Sequence, residues 1–386
     1  MTPLARRDSR FDLLDGLQLL TTSKRLKSCR RMLKSGTGAA TLMTGNAGGS
    51  FAGVCVCGAV HLCPICSAKI RAARAEQADT WVDAWTAAEH GVVFWTLTMR
   101  HYKRQPLGSL RKRERHGLVA QQHDAWKQAF GTNAGPAWKR TTRSHGVVGY
   151  YRVWECTCGA NGWHPHFHVL LFTERPWSED TRASFEAAAA ARWSAALVKS
   201  GGYKPNEAGC RVDTVQGADQ GAAGRYLFKE QDGRGGVQRI GQEMARGDMK
   251  KAGRGGRAPF EVAESAVAGV ADDVALWHEF EAGTFGLRLM YLSNGMKAKL
   301  DALVETDDRT DEEIAADDGQ DRTPVAMFPS ETWHGHVARV RGRRLALIKA
   351  VEAGGQSAVR ALIESWGLVW GRDVLDPPPS VEQEQR

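Results

Sequence analysis

The stretch NGWHPHFHVLLF, residues 161–172, contains three histidines that alternate with a proline and a phenylalanine. Side chains spaced by two residues point to one face of a β-strand, so the pattern predicts a strand that presents His164, His166 and His168 together. Imidazoles at i and i+2 can bind one divalent ion, and a carboxylate or water completes such a site. The proline at position 165 indicates that the strand begins near this position or lies at a sheet edge.

The preceding segment HGVVGYYRVWEC, residues 145–156, is a second predicted strand. Asn161-Gly162 is a strong turn signal, so the two strands are expected to form a hairpin. Glu155 lies near the end of the second strand and is the candidate third ligand, although the loop length leaves its register open. The alternative is that the histidines only line the exposed face of a hairpin.

Further strands and helices extend outward from this hairpin. GVVFWTLTMR (91–100) and CRVDTV (210–215) are strand-like, whereas residues 117–130 and the alanine-rich segment Ser178–Ser200 are helical, with Ser178 as the cap. The order strand, helix, hairpin, helix, strand, helix between residues 91 and 231 predicts one antiparallel sheet with helices on one face. The expected fold class is therefore α+β, with a ferredoxin-like central layer.

A cysteine cluster precedes this region. Cys63 and Cys66 form a C-x2-C knuckle, whose tight turn lets two thiolates bind one zinc ion, and Cys57 is the natural third ligand. The fourth ligand is Cys29 or Cys55. The alternative is that these residues are free reduced thiols, since the eight cysteines of an intracellular chain are not expected to form disulfides.

The histidine stretch resembles the His-hydrophobic-His motif of the HUH endonucleases, and especially the rolling-circle replication initiators (Rep proteins) of actinobacterial and other Gram-positive plasmids. Four more segments are similar to parts of these proteins, and together they extend the resemblance over roughly residues 29–300 in the family's order. They are the first motif FWTLTMRH (94–101), the third motif AAGRYLFKE (222–230), the upstream cysteine segment LCPICSAKI (62–70) and the following segment WHEFEAGTFGLRLMYLSNGMK (277–297).

The resemblance implies an HUH nicking domain with a tyrosine nucleophile. Tyr226 would attack the DNA, and Lys229, which shares its helix face at i+3, would hold the phosphate or favour the phenolate. The ion at His166, His168 and Glu155, with His164 as substitute ligand, would be Mn²⁺ or Mg²⁺. Similar proteins carry an upstream cysteine, which favours Cys29 as the fourth ligand of a structural Zn²⁺.

The charge distribution favours a nucleic-acid partner. The net charge is +8, yet residues 305–321 hold nine acids and one arginine. Basic side chains are concentrated in residues 1–34 and between Arg100 and Arg115. Dense positive clusters favour a polyanion over a merely solvated surface. With the resemblance, the expected partners are origin DNA, both double-stranded and single-stranded, and a host helicase and polymerase.

No run of 18 apolar residues occurs, and the charged N-terminal stretch is not a secretory signal, so the chain is expected to be soluble and cytoplasmic without a membrane partner. The segment boundaries follow from composition and motifs. They predict a basic N-terminal region with the zinc site and a helix (1–90), the nicking domain (91–231), a Gly/basic linker (232–259), an accessory unit (260–304), an acidic linker (305–331) and a helical tail (332–386) within a mainly helical C-terminal region.

Three functions remain open from the sequence. The first is a plasmid rolling-circle initiator that nicks one strand and stays attached to its 5′ phosphate. The second is another HUH enzyme, a transposase or a relaxase, with the same chemistry. The third is a non-enzymatic zinc-containing DNA-binding protein whose histidines bind a structural ion.

Overall fold

A computed structural model describes residues 3–46, 48–215, 256–319 and 321–378. The chain divides into two compact units. The terminal unit combines Met1–Ile70 with Arg309–Arg386, and the central unit comprises Arg71–Asp308. Among the helices of these described ranges, none is both long enough and apolar enough to span a membrane.

The described ranges contain eight strands, which are numbered in chain order. They are β1 (Ala39–Gly45), β2 (Ser50–Ala52), β3 (Gly91–Thr98), β4 (Val147–Gly159), β5 (Gly162–Thr173), β6 (Cys210–Thr214), β7 (Met290–Leu292) and β8 (Arg322–Pro329). The α-helices are Pro3–Leu20, Lys24–Ser28, Pro64–Ala87, Gly117–Ala129, Gly135–Ser144, Glu179–Lys199, Pro259–Val267, Ala271–Gly283, Met296–Asp301, Asp311–Ala316, Ser330–Thr332 and Arg343–Ser365. The described ranges also contain a 3-10 turn (Glu207–Gly209) and a π-helical turn (Trp333–Val337).

The central unit is built on one antiparallel sheet in the order β6-β3-β5-β4-β7. The antiparallel α+β arrangement agrees with the prediction. β5 begins at Gly162 and lies in the middle of the sheet, so the expected start near 165 is wrong. The proline at 165 is tolerated because the β3 ladder ends at His166, which leaves only β4 beside it.

Helices pack on both faces of this sheet, not on one face as predicted. On one face, Trp95 contacts Phe130 and Phe185 of the helical layer, with ring centroids 4.6 and 5.6 Å away. On the other face, Trp85 of the helix Pro64–Ala87 packs edge-on against Phe172 at 5.5 Å. The sequence hid the second layer because this helix is polar and alanine-rich, so that its few large buried apolar side chains, such as Trp81, Val82 and Trp85, give only a weak apolar pattern.

The predicted accessory unit 260–304 is part of the same compact unit, because its strand β7 pairs with β4 at the outer edge of the sheet. Ser178 caps the helix Glu179–Lys199 by accepting a hydrogen bond from the Thr181 N–H at 3.3 Å, as its sequence position predicted.

The terminal unit contains a three-stranded sheet in the order β2-β1-β8. Its outer strand β8 and the helix Asp311–Ala316 lie within the segment predicted to be an acidic linker, residues 305–331. That expectation is therefore wrong. Thr310 and Glu313 form a capping box that starts the helix, and Val325, Ala326 and Phe328 of β8 are buried.

Three acidic side chains of this segment form ion pairs within the terminal unit, Glu312 with Arg25, Asp317 with Arg309 and Asp318 with two cations, so the local charge alone was misleading. Asp318 forms ion pairs with the buried Arg30, at 3.0 Å, and with Lys69. These two cations hold the pKa of Asp318 below its usual range in spite of its burial. The acidic segment therefore contributes the negative partners of ion pairs whose cations lie elsewhere in the terminal unit.

A buried arginine joins the two chain segments of the terminal unit. Arg344, in the helix Arg343–Ser365, is 2% exposed and forms an ion pair with Asp15. It also donates to Gln18 Oε1 at 2.7 Å and to the carbonyl of Arg30 at 2.9 Å. A buried charge is costly unless it is paired. The guanidinium in the C-terminal segment therefore needs its partners in the N-terminal segment.

Replacing Arg344 with methionine should lower the free energy of unfolding by about 3–5 kcal/mol, because Asp15 would remain buried without its cation. Urea denaturation of the full chain measures this change. Arg341→Met, at an exposed position of the same region, is the matched control and should change stability by less than about 0.5 kcal/mol. Equal stability of the two variants would contradict the structural role of Arg344.

Candidate functional site

The hairpin of β4 and β5 sets the geometry of the candidate site. Gly159 pairs with Gly162, and Gly162 has a positive φ of 84°, which closes the tight turn at the predicted position. The resulting register places Glu155 directly opposite His166. Glu155 therefore lies on the histidine face, and the question of register left open by the sequence is resolved.

Glu155, His166 and His168 form a compact group. Glu155 Oε2 lies 2.9 Å from His166 Nε2 and 3.1 Å from His168 Nε2. All three residues are buried, with exposed fractions of 7–9%. The three ligand atoms lie within 4.8 Å of one another, so this group, called here the metal triad, could hold a metal ion.

The spacing of the triad is compatible with a divalent ion in six-fold coordination. Bonds of about 2.1 Å at right angles separate neighbouring ligand atoms by about 3.0 Å, which agrees with the two measured separations from the carboxylate oxygen. One carboxylate and two imidazoles also leave coordination positions for water or substrate oxygens. The group could therefore hold a divalent ion with coordination positions left open.

Two further residues support the triad, and the sequence did not single them out. Thr96 Oγ1 lies 3.3 Å from His168 Nδ1, and the Phe94 ring stacks on His168 with centroids 5.1 Å apart. Such contacts fix the ring orientation of a candidate ligand. The available signal was strand alternation, since Phe94 and Thr96 are two residues apart in β3 and Thr96 pairs with His168.

His164 lies on the triad's face but is not one of its members. Its Nδ1 atom is 2.8 Å from His101 Nε2, and His101 Nδ1 is 2.9 Å from the carbonyl oxygen of Asn161. Burial is the main cause that lowers the pKa of His164 to about 3, and the neighbouring His166 contributes. His164 is therefore neutral at physiological pH. His101, the last residue of the motif-like stretch 94–101, was missed as its partner.

The terminal unit contains a second group of possible metal ligands. The Sγ atoms of Cys29, Cys57, Cys63 and Cys66 lie within 4.8 Å of one another, and all four residues are buried. Cys55 lies apart from this group and its thiol is 3.3 Å from the carbonyl oxygen of Leu33. The structure thus brings together the four cysteines that the sequence favoured and leaves Cys55 out.

The geometry of the four cysteines fits a tetrahedral ion. Cys29 Sγ lies 3.7 Å from both Cys63 Sγ and Cys66 Sγ, and Cys57 Sγ lies 3.6 Å from Cys66 Sγ. A tetrahedral zinc ion with bonds of about 2.3 Å would separate its sulfur ligands by about 3.8 Å. Burial, with hydrogen bonds from the neighbouring thiols, raises the pKa of the Cys63 thiol, so this residue favours the protonated form unless a cation is bound.

The predicted nucleophile Tyr226 and its neighbour Lys229 lie outside the described residues. The same holds for the third motif as a whole and for residues 232–255 of the predicted Gly/basic linker.

The chain is similar to one protein family and to two known proteins of Streptomyces. A family model described as "Replication protein" matches residues 51–337. The chain is 29% identical over 336 residues to "Protein rep" of Streptomyces lividans, a match that covers 73% of this chain and 72% of that protein. It is also 28% identical over 134 residues to the "Neomycin resistance protein" of Streptomyces cyanogenus, covering 31% and 30% of the two chains. No solved structure matches.

Replacing Cys63 with serine should reduce metal bound at the four-cysteine group from about one ion per chain to nearly none, because the site loses a thiolate with little change in volume. Elemental analysis of the purified protein measures this. Cys55→Ser is the matched control and should keep its metal, since Cys55 is outside the group. Retention of the ion in Cys63→Ser would show that it binds elsewhere.

Proposed function

Because this chain belongs to the replication protein family, we propose that it initiates rolling-circle replication of a plasmid by nicking one strand of the origin. The observation that carries this proposal is the triad of Glu155, His166 and His168, which lies on the central strands of an antiparallel sheet. β3, the strand of the first motif, pairs directly with the histidine strand. This adjacency supports an HUH endonuclease fold for the central unit.

The metal triad would bind Mn²⁺ or Mg²⁺. When bound, such an ion polarises the scissile phosphate and stabilises the charge that develops on it. Glu155 neutralises part of the ion's charge, and the contacts of Thr96 and Phe94 with His168 hold that imidazole in one orientation. Burial of the triad limits competing water, which strengthens each electrostatic contact.

Tyr226 would be the nucleophile. Its phenolate oxygen would attack the phosphorus atom, form a phosphotyrosine bond to the 5′ phosphate and displace the 3′ oxygen, which leaves as a hydroxyl after taking up a proton. A free tyrosine has a pKa of about 10, so the phenol needs a nearby positive charge. Lys229, three residues later in the sequence, would supply that charge or hold the phosphate.

The four cysteines would bind a structural Zn²⁺. Their closed, all-sulfur donor set leaves no position for substrate, which is typical of a structural site. Origin DNA in double-stranded and single-stranded form would be the main partner. A host helicase and polymerase would then use the unwound strand and the free 3′ hydroxyl.

Replacing Tyr226 with phenylalanine should abolish the covalent protein–DNA adduct, because the change keeps the ring and removes the attacking oxygen. Incubation with a labelled single-stranded origin oligonucleotide and a denaturing gel detects the adduct. Tyr291→Phe, which removes the phenol oxygen from another tyrosine, should form it at the parental rate. Lys229→Ala should form it at least about tenfold more slowly, since it loses charge stabilisation.

An adduct that persists in Tyr226→Phe would assign the nucleophile to another tyrosine, with Tyr203 the first alternative. If active parent protein never forms an adduct, attack by water replaces the tyrosine mechanism. A non-enzymatic DNA-binding protein would show no cleavage in any variant.

Replacing His166 with alanine should reduce the nicking rate by about 100-fold or more, because the ion loses a ligand, while origin binding stays within about twofold. Nicking of the labelled strand and a separate gel-shift measurement distinguish the two effects. His116→Ala, at an exposed histidine of the same unit, is the control and should nick normally. Nicking by His166→Ala at the parental rate would place the catalytic site elsewhere.

A further inference from the structure

A cavity of about 550 Å³ lies beside the metal triad in the central unit. Thr98 and His164 contribute to its wall. Thr98 pairs with His166 across β3 and β5, and His164 lies two residues before His166 on the same strand face. The cavity, called here the tip cavity, therefore opens at the end of the sheet where the proposed cleavage occurs. Its volume is within the range of about 300–1,000 Å³ that is typical of ligand sites.

The walls of the tip cavity are held in place by specific contacts. His101 bridges the two sides, since its ring nitrogens lie 2.8 Å from His164 Nδ1 and 2.9 Å from the Asn161 carbonyl oxygen. Arg100 forms an isolated β-bridge with Tyr203, which joins the end of β3 to the segment before β6. The cavity is thus formed by three segments that are fastened to one another, which favours a preorganised site.

Two exposed tyrosines lie at this cavity. Tyr102 lines it and is 43% exposed, and Tyr203, next to the lining residue Lys204, is 47% exposed. Their rings meet edge to face with centroids 5.0 Å apart, and the Arg100 guanidinium lies 5.3 Å from the Tyr102 ring. Exposed aromatic rings beside cations are the surface on which unpaired bases stack.

The charge of the tip cavity favours a phosphate backbone. Arg100 and Lys204 line it, and among the described lining residues none is acidic. Lys103 and Arg104 follow in the same exposed loop. The cavity's two cations and its aromatic pair match the two chemical parts of a nucleotide, the phosphate and the base.

We propose that the tip cavity binds an unpaired nucleotide next to the scissile phosphate, with its base on the Tyr102–Tyr203 pair and its backbone phosphates held by Arg100 and Lys204. This inference rests on the proposed nicking function, and it names the residues that hold the substrate strand. Because every base has an aromatic face, binding through the pair tolerates different sequences. The site therefore selects single-stranded over duplex DNA, whose bases are already stacked.

The test uses a labelled single strand of 15 thymidines and the full-length protein, in buffer without added Mn²⁺ or Mg²⁺. Fluorescence anisotropy should show that Tyr102→Ala with Tyr203→Ala raises Kd by about 5- to 100-fold. The double phenylalanine variant keeps both rings and should bind within about twofold of the parent. Phe285→Ala removes an exposed ring, 58% accessible, that also lies beside an arginine; as the matched control it should bind like the parent.

A second measurement, the salt dependence of Kd, tests the role of Arg100 and Lys204. Arg100→Gln with Lys204→Gln should reduce the slope of log Kd against log salt by about 1.4, since each phosphate contact on a single strand contributes about 0.7. Lys139→Gln with Arg140→Gln, two exposed cations of the helix Gly135–Ser144, should leave the slope unchanged. A duplex of the same length should bind all tyrosine variants equally.

Parental binding by the double alanine variant would overturn the proposal, as would a loss of the same size in Phe285→Ala. The failure of the nicking function is seen separately, as an absent adduct in the parent protein, because the binding measurement involves no cleavage.

Discussion

The hydrogen-bonded register between β4 and β5 is the constraint on which the central unit depends. It places Glu155 opposite His166, so one carboxylate reaches both His166 and His168. Because side chains alternate along a strand, a slip of one residue would move Phe167 into the triad and put the histidines into the aromatic layer. The tight turn at Gly162 fixes the register from one end, and the pairing of β5 with β3 fixes it from the other side.

The terminal unit depends on a different constraint, because buried charge must be paired there. Arg344, in the helix Arg343–Ser365, is paired with Asp15 and donates to the backbone carbonyls of Cys29 and Arg30. Arg30, also beside Cys29, is paired with Asp318. Two ion pairs therefore lie beside Cys29, and each joins the N-terminal segment of the terminal unit to its C-terminal segment. These contacts position Cys29 next to the knuckle of Cys63 and Cys66.

The sequence predicted those features that depend on local pattern. Period-two histidines and a turn signal predicted the hairpin and the face that carries the triad, and the C-x2-C knuckle predicted the cysteine group, whose fourth member came from the resemblance. The resemblance to replication proteins is confirmed. Features that depend on distant partners were missed. The local negative charge hid β8, because Asp318, four residues before this strand, is paired with Arg30 and Lys69, which are far away in the chain. The roles of His101 and Thr96 follow from cross-strand and loop contacts that no local pattern encodes.

The pairing of Thr41 with Met327 has a consequence for synthesis on the ribosome. In chain order, the central unit is inserted between the two halves of the terminal unit. Domains fold as their residues emerge, so the central unit can fold first while β1 and the cysteines wait for β8. Once the central unit has folded, fewer flexible residues separate β1 from β8. The entropic cost of bringing these two strands together is therefore lower. The cysteines are thus among the last residues to be enclosed, and until then a metal ion or an oxidant can reach them.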